Sequence, residues 1–177
     1  MLELLPEPEP RSESDRKLLN DVQSYGLHVV HVFPEGNTPG WSYSIGLCRS
    51  HGQPDVVVFG LDSKVAHFVV NELGRRAAVG PIQPEQVHEG LLEGHRCVLK
   101  PVLPVWSRPF FGYGLWYYRH APFPVLQCVW PDRTHVYPWE PGFNSAWRWA
   151  QPLLYLSDPA EANVQALLGT MKPKAAG

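Results

Sequence analysis

A chain of 177 residues is long enough for one domain that buries roughly 70% of its unfolded surface around a single core. With 44% apolar residues, 18% charged residues and a net charge of −2, it offers no basic surface for nucleic acid. No apolar run reaches the roughly 18–20 residues needed to cross a bilayer, and the acidic start MLELLPEPEP is unlike a signal peptide. The expectation is a cytoplasmic protein with neither nucleic-acid nor membrane partners. Cys48, Cys97 and Cys128 include no C-x-x-C pair and read as reduced thiols.

Residues 1–10, alternating Glu and Pro, read as a disordered tail, and 171–177 as a flexible one, leaving a single domain over 11–170. The first helix falls on SESDRKLLNDVQSYG, with Leu18, Leu19, Val22 and Tyr25 at helical spacing, Ser12 or Ser14 as cap and Gly26 as stop. The period then changes to two. In LHVVHVF and WSYSIGL it predicts two strands of one hairpin, with Trp41, Tyr43, Ile45 and Leu47 on one face and Ser42, Ser44 and Gly46 on the other.

DVVVFGL is a continuous apolar run that suits a strand covered on both sides. Asp62 or Ser63 caps a helix whose stripe is Val65, Ala66, Val69, Val70, Leu73 and Ala77. A polar loop follows, then the strand HRCVLKPV, whose Pro101 marks an edge or an end. PVLQCVW and HVYPW flank the turn PDRT and predict a second hairpin, with His135, Tyr137 and Trp139 on one face of an edge strand. DPAEANVQALLGTM predicts a last helix capped by Ser157 or Asp158. The sum is an α+β fold: a mixed or mainly antiparallel sheet, with a split barrel as one possible form, flanked by two or three helices.

Four landmarks occur in order: GWSYSIGL, GQPDVVVFGLD before a helix, LLEGHRCVLKPV, and FPVLQCVWPD with YPWEPGF. From about Gly26 to Phe143 the chain thereby resembles the bacterial domain-of-unknown-function family 4262. Members usually carry His-Pro before the buried strand, where Gln53-Pro54 stands here, and Phe at the place of Tyr137. The resemblance implies no mechanism. The run from paired strands to buried strand, helix and LLEG strand is also similar in order to split-barrel flavin reductases, which makes flavin the most concrete cofactor expectation.

Among the histidines, His28 and His31 form H-x-x-H, but on a strand residues three apart point to opposite faces and do not chelate one ion. His88, His95, His120 and His135 show no local metal-binding spacing, so no metal site is expected and a metal hydrolase is the weakest of the three readings. Cys48, three residues before His51, is the best placed thiol, although all three read as core residues. No G-x-S-x-G, phosphate loop or dinucleotide fingerprint occurs.

The strongest signal is aromatic. Of 21 Phe, Trp and Tyr residues, 14 lie between Trp106 and Trp149, in a stretch whose prolines and glycines oppose regular structure and whose Arg108, Arg119 and His120 add charge. The functional expectation is a small ligand or cofactor in an aromatic-walled pocket. Its candidate residues are Tyr43, Ser44, Trp116, Arg119, Trp130, Arg133, His135, Tyr137, Trp139 and Glu140, with Arg119 or Arg133 meeting an anionic group. The alternative is a protein-interaction or homo-oligomerisation module that uses the rings of 106–149 as anchors.

Overall fold

Ser12 starts the first helix by accepting the Asp15 N–H at 3.1 Å. In the computed structural model, which describes residues 5–170, α1 (Glu13–Tyr25) ends on Gly26 at φ 83°, whose N–H caps the Val22 carbonyl. Leu18 and Val22, one turn apart, are buried, whereas Tyr25, at the helix's last position, leaves the expected stripe and is 75% exposed.

β1 (His28–Val32) and β2 (Trp41–Ile45) form the predicted antiparallel hairpin, with Val30 opposite Tyr43. Gly46, at φ 114°, ends the alternation. Leu47 therefore departs from the Trp41–Tyr43–Ile45 face and opens α2 (Leu47–His51), a single turn too short to show a helical period. β3 (Asp55–Phe59) is buried throughout, as its unbroken apolar run requires. α3 (Ser63–Val79) follows, with the Asp62 carboxylate accepting the Lys64 N–H. Ala66, Val69, Val70, Leu73 and Ala77 bury its stripe, but Val65 in the first turn is exposed.

The expected polar loop contains a further strand. β4 (Val87–Leu92) pairs with β5 (His95–Pro101) around Glu93-Gly94, and of its six residues only Leu91 is fully buried, so it leaves no apolar alternation to read. β6 (Val125–Val129) inserts between β3 and β5, giving the order β1-β2-β3-β6-β5-β4. β3 and β6 run parallel and the other neighbours antiparallel. The sheet is mixed and open, with β1 and β4 at its edges, rather than closed into a barrel. Pro101 is the last residue of an interior strand.

The first part of the aromatic-rich stretch is not an irregular loop. It forms a 3-10 turn at Pro104–Trp106, then α4 (Ser107–Phe110) and α5 (Gly112–Tyr117). Pro104 and Gly112 stand at first helical positions, where a missing N–H or side chain does little harm. Conversely, the predicted strand HVYPW does not form: His135 sits at φ 66°, which no strand accommodates, and the second hairpin is replaced by a side-chain-held loop. The last helix is shorter than expected. Asp158 caps only a turn by accepting the Ala160 and Glu161 N–H groups, Asn163 at φ 56° interrupts the chain, and α6 (Gln165–Thr170) begins after it.

Residues 5–10 carry no regular structure, yet the Leu5 carbonyl accepts from Arg49 and Glu7 accepts the Tyr117 hydroxyl. The expectations for 1–4 and 171–177 fall outside the described residues.

The sheet has two covered faces. α3 lies over Leu27, Val56, Val58, Cys97, Leu99, Leu126 and Cys128. On the opposite face Trp41, Tyr43, Ile45, Val57 and Phe59 meet α1, the α4–α5 aromatics and Leu154. Burying each such large apolar side chain stabilises the fold by roughly 1.5–3 kcal/mol before entropy is counted.

Candidate functional site

Three of the predicted pocket residues, Tyr43, Ser44 and Trp130, are buried. Ser44 is wholly buried, donates to Asp55 Oδ1 at 2.7 Å and accepts the Val56 N–H at 2.9 Å, so it braces β2 against β3. Asp55 also accepts the Leu47 N–H, and the Tyr118 hydroxyl donates to its Oδ2 at 2.5 Å while accepting the Gly46 N–H. Burial lifts the Asp55 pKa to about 6, against the opposing pull of the Tyr118, Ser44 and Leu47 donors. Burial and the facing Asp55 charge push the Tyr118 phenol well above its ordinary value. Tyr43 packs edge-on against Phe111 at 5.2 Å. Asp55 and Tyr118 carry no motif, and only the Asp-initiated apolar run hinted at a buried carboxylate.

The stretch Trp130–Glu140 is organised by Asp132. Its Oδ1 accepts the N–H groups of Thr134 and Val136 and the Thr134 hydroxyl, and its Oδ2 accepts the Asn144 N–H at 2.9 Å. These donors, Asn144 foremost, hold its pKa down to about 2. The loop divides the predicted residues between two places at the β4–β5 turn. Trp130 and Arg133 line a cleft of about 260 Å³ with Gly60, Leu61, His95 and Trp147. His135 and Tyr137 line a neighbouring one of about 470 Å³ with Gly94 and Arg96. The His95 and His135 rings, 5.0 Å apart, stand between them.

Trp139 stacks on Tyr137 at 4.8 Å and nearly parallel, but its other contacts are internal. Lys100 Nζ lies 4.4 Å from the Trp139 centroid and 5.4 Å from that of Tyr155, while pairing with Glu85. This aromatic corner is already filled by the chain's own cation. Glu140 accepts the Tyr137 N–H and closes the turn. Ser44, His135 and Trp139 therefore do not share a cavity.

A cleft of about 870 Å³ lies where the start of α4 and the segment between α5 and β6 face each other. Pro104, Leu115, Pro122, Phe123 and Pro124 make its apolar wall, and Ser107, Arg108 and His120 supply its polar groups. Arg119 and His120 are consecutive non-glycine residues in the left-handed region, at φ 53° and 62°. Such pairs are costly and are held by the surrounding fold, here by the Arg119 N–H to Trp116 carbonyl and His120 N–H to Leu115 carbonyl bonds. Among the described residues neither the Arg108 guanidinium nor the His120 imidazole has a hydrogen-bond or ion-pair partner. Trp116 and Arg119 flank this cleft in sequence without lining it, and Trp116 instead meets Tyr113 edge-on at 6.0 Å. Arg108 and His120 stand out in the sequence only as charges beside an aromatic run.

The thiols offer no nucleophile. All three are buried, and burial together with the Asp55 charge raises the Cys48 pKa, the opposite of thiolate activation. His28 and His31 point apart as the strand predicts, to Asp21 and to Ser42. Gln53 accepts the Ile82 N–H. Among the described residues no group of three or more His, Cys, Asp or Glu is arranged to hold a metal ion, and no helix is long and apolar enough to cross a membrane.

No curated protein and no solved structure matches the chain. A family model does match, over residues 21–144. That span begins within α1, takes in all six strands and ends at the Asn144 N–H that Asp132 holds, so the chain belongs to the family described as Domain of unknown function (DUF4262).

Proposed function

We propose that the protein binds a small anionic ligand with a flat apolar body in the cleft between α4 and the α5–β6 segment. The observation that carries this reading is the Arg108 guanidinium, unpaired among the described residues, in a cleft whose apolar wall is proline, leucine and phenylalanine. A planar donor fork is suited to a carboxylate, sulfonate or phosphate, and the apolar wall to a ring. The volume of about 870 Å³ falls in the usual range for such ligands. Ser107 and His120 line the same cleft but make no hydrogen bond to each other, so the groups present favour binding over nucleophilic catalysis. Flavin mononucleotide, a planar ring joined to a phosphate, is the cofactor of this class.

The test uses anilinonaphthalene sulfonate, an aromatic sulfonate that fluoresces in apolar surroundings. One saturable site per chain is expected, weakened roughly tenfold in Arg108→Ala, since a charge-assisted contact is worth about 1.5 kcal/mol. Competition by flavin mononucleotide would support the flavin version. Equal affinity in the variant overturns the reading.

A further inference from the structure

His31 on edge strand β1 and His67 on α3 come together across the sheet-to-helix packing. His31 Nε2 lies 3.2 Å from His67 Nδ1, and the ring centroids are 5.4 Å apart. The other His31 nitrogen, Nδ1, is 2.7 Å from Ser42 Oγ, opposite it on β2. Neither the H-x-x-H spacing of His28 and His31 nor any other local pattern signals this pair, because 36 residues separate its members.

We propose that His31 and His67 form a two-imidazole site for a late first-row divalent ion, with Zn2+ and Cu2+ as its natural occupants. Two nitrogens bound to one tetrahedral ion at about 2.0–2.1 Å lie roughly 3.3 Å apart, and the pair already holds nearly that separation. Ser42 supplies the outer contact that a ligating histidine needs. With the proton on His31 Nδ1 donated to the rotatable Ser42 hydroxyl, Nε2 keeps its lone pair for the metal. Ser42 is 3% exposed and has no competing hydrogen bond among the described residues, so that hydroxyl stays in place. His67 is on the exposed side of α3, which leaves the remaining coordination positions to water and gives the ion a way in. The site is independent of the anion cleft, which contains neither residue.

Calorimetric titration of the full chain without a histidine tag, stripped with chelator, tests this with Zn2+ alone. One ion per chain is expected, with affinity falling at least tenfold in His67→Ala and unchanged in His95→Ala. Cu2+ bound to the wild type should show coupling to two nitrogens in its electron paramagnetic resonance spectrum, reduced to one in His67→Ala. The exposed position of His67 makes that variant a safe folder. The proposal is overturned by an absence of stoichiometric binding, or by binding that His67→Ala leaves intact.

Discussion

The Tyr118 hydroxyl and the Asp55 carboxylate, 63 positions apart in the chain, meet at 2.5 Å in the interior. Together with Ser44 and the Gly46 and Leu47 amides they lock the β2–α2 corner to β3. A buried carboxylate with this many donors is stable only while the set is complete.

Asp55 makes stability depend on pH in a defined window. Its pKa is about 6 in the folded chain against an ordinary 3.8, so the unfolded chain releases the proton first as pH rises. The stability associated with the protonated group is fully present below about pH 4 and is lost as pH rises through 6. Asp55→Asn has no proton to release. The difference in urea unfolding free energy between wild type and variant should change by on the order of 1 kcal/mol per pH unit across that window. A flat difference sinks the assignment.

Asp132 should act in the opposite sense. Its pKa is lowered to about 2, so its contribution is present above the ordinary 3.8 and is lost as pH falls through 2. Asp132→Asn should remove that acid-side slope and release the Trp130–Asn144 loop. Hydrogen exchange at the Val136 and Asn144 amides, both donors to Asp132, reads this directly.

Gly60 is required at the end of β3. It has φ 71°, and an added Cβ would meet the Ala150 carbonyl oxygen at 2.1 Å. Gly60→Ala should destabilise by about 3 kcal/mol or more, measured by thermal or urea unfolding. A variant within about 0.5 kcal/mol of wild type contradicts the packing of the Ser145–Ala150 turn on this strand.

His120 should show opposed effects on stability and binding. Glycine at φ 62° relieves left-handed strain of about 1 kcal/mol, so His120→Gly should raise the unfolding midpoint. The same change removes a donor from the cleft and should weaken anilinonaphthalene sulfonate binding several-fold. A lower midpoint would show that the imidazole stabilises the fold instead.

The elements legible in the sequence are those whose energetics are local. Ser12 and Gly26 bound α1 through contacts within four residues, the VVV run of β3 states its own burial, and Asp62 announces α3. β4 was illegible because Leu91 is its one fully buried side chain, which leaves no alternation to read. HVYPW read falsely as a strand because an apolar alternation does not reveal that Asp132 folds the backbone into a loop. The aromatic run was legible as a concentration of rings but not as helices, since α4 and α5 are too short to display a period.

By itself, then, the sequence determined the α+β class, the first hairpin, the buried central strand, the two long helices and the family. Only the tertiary structure decided that β6 inserts parallel beside β3, that Ser44 faces a carboxylate rather than a ligand, and that Arg108 and His120 share a cleft. The physical reason is range: caps, turns and periodicity are settled by neighbours in the chain. Strand order, buried polar pairs and unpartnered charges depend on which distant residues the packed sheet brings together.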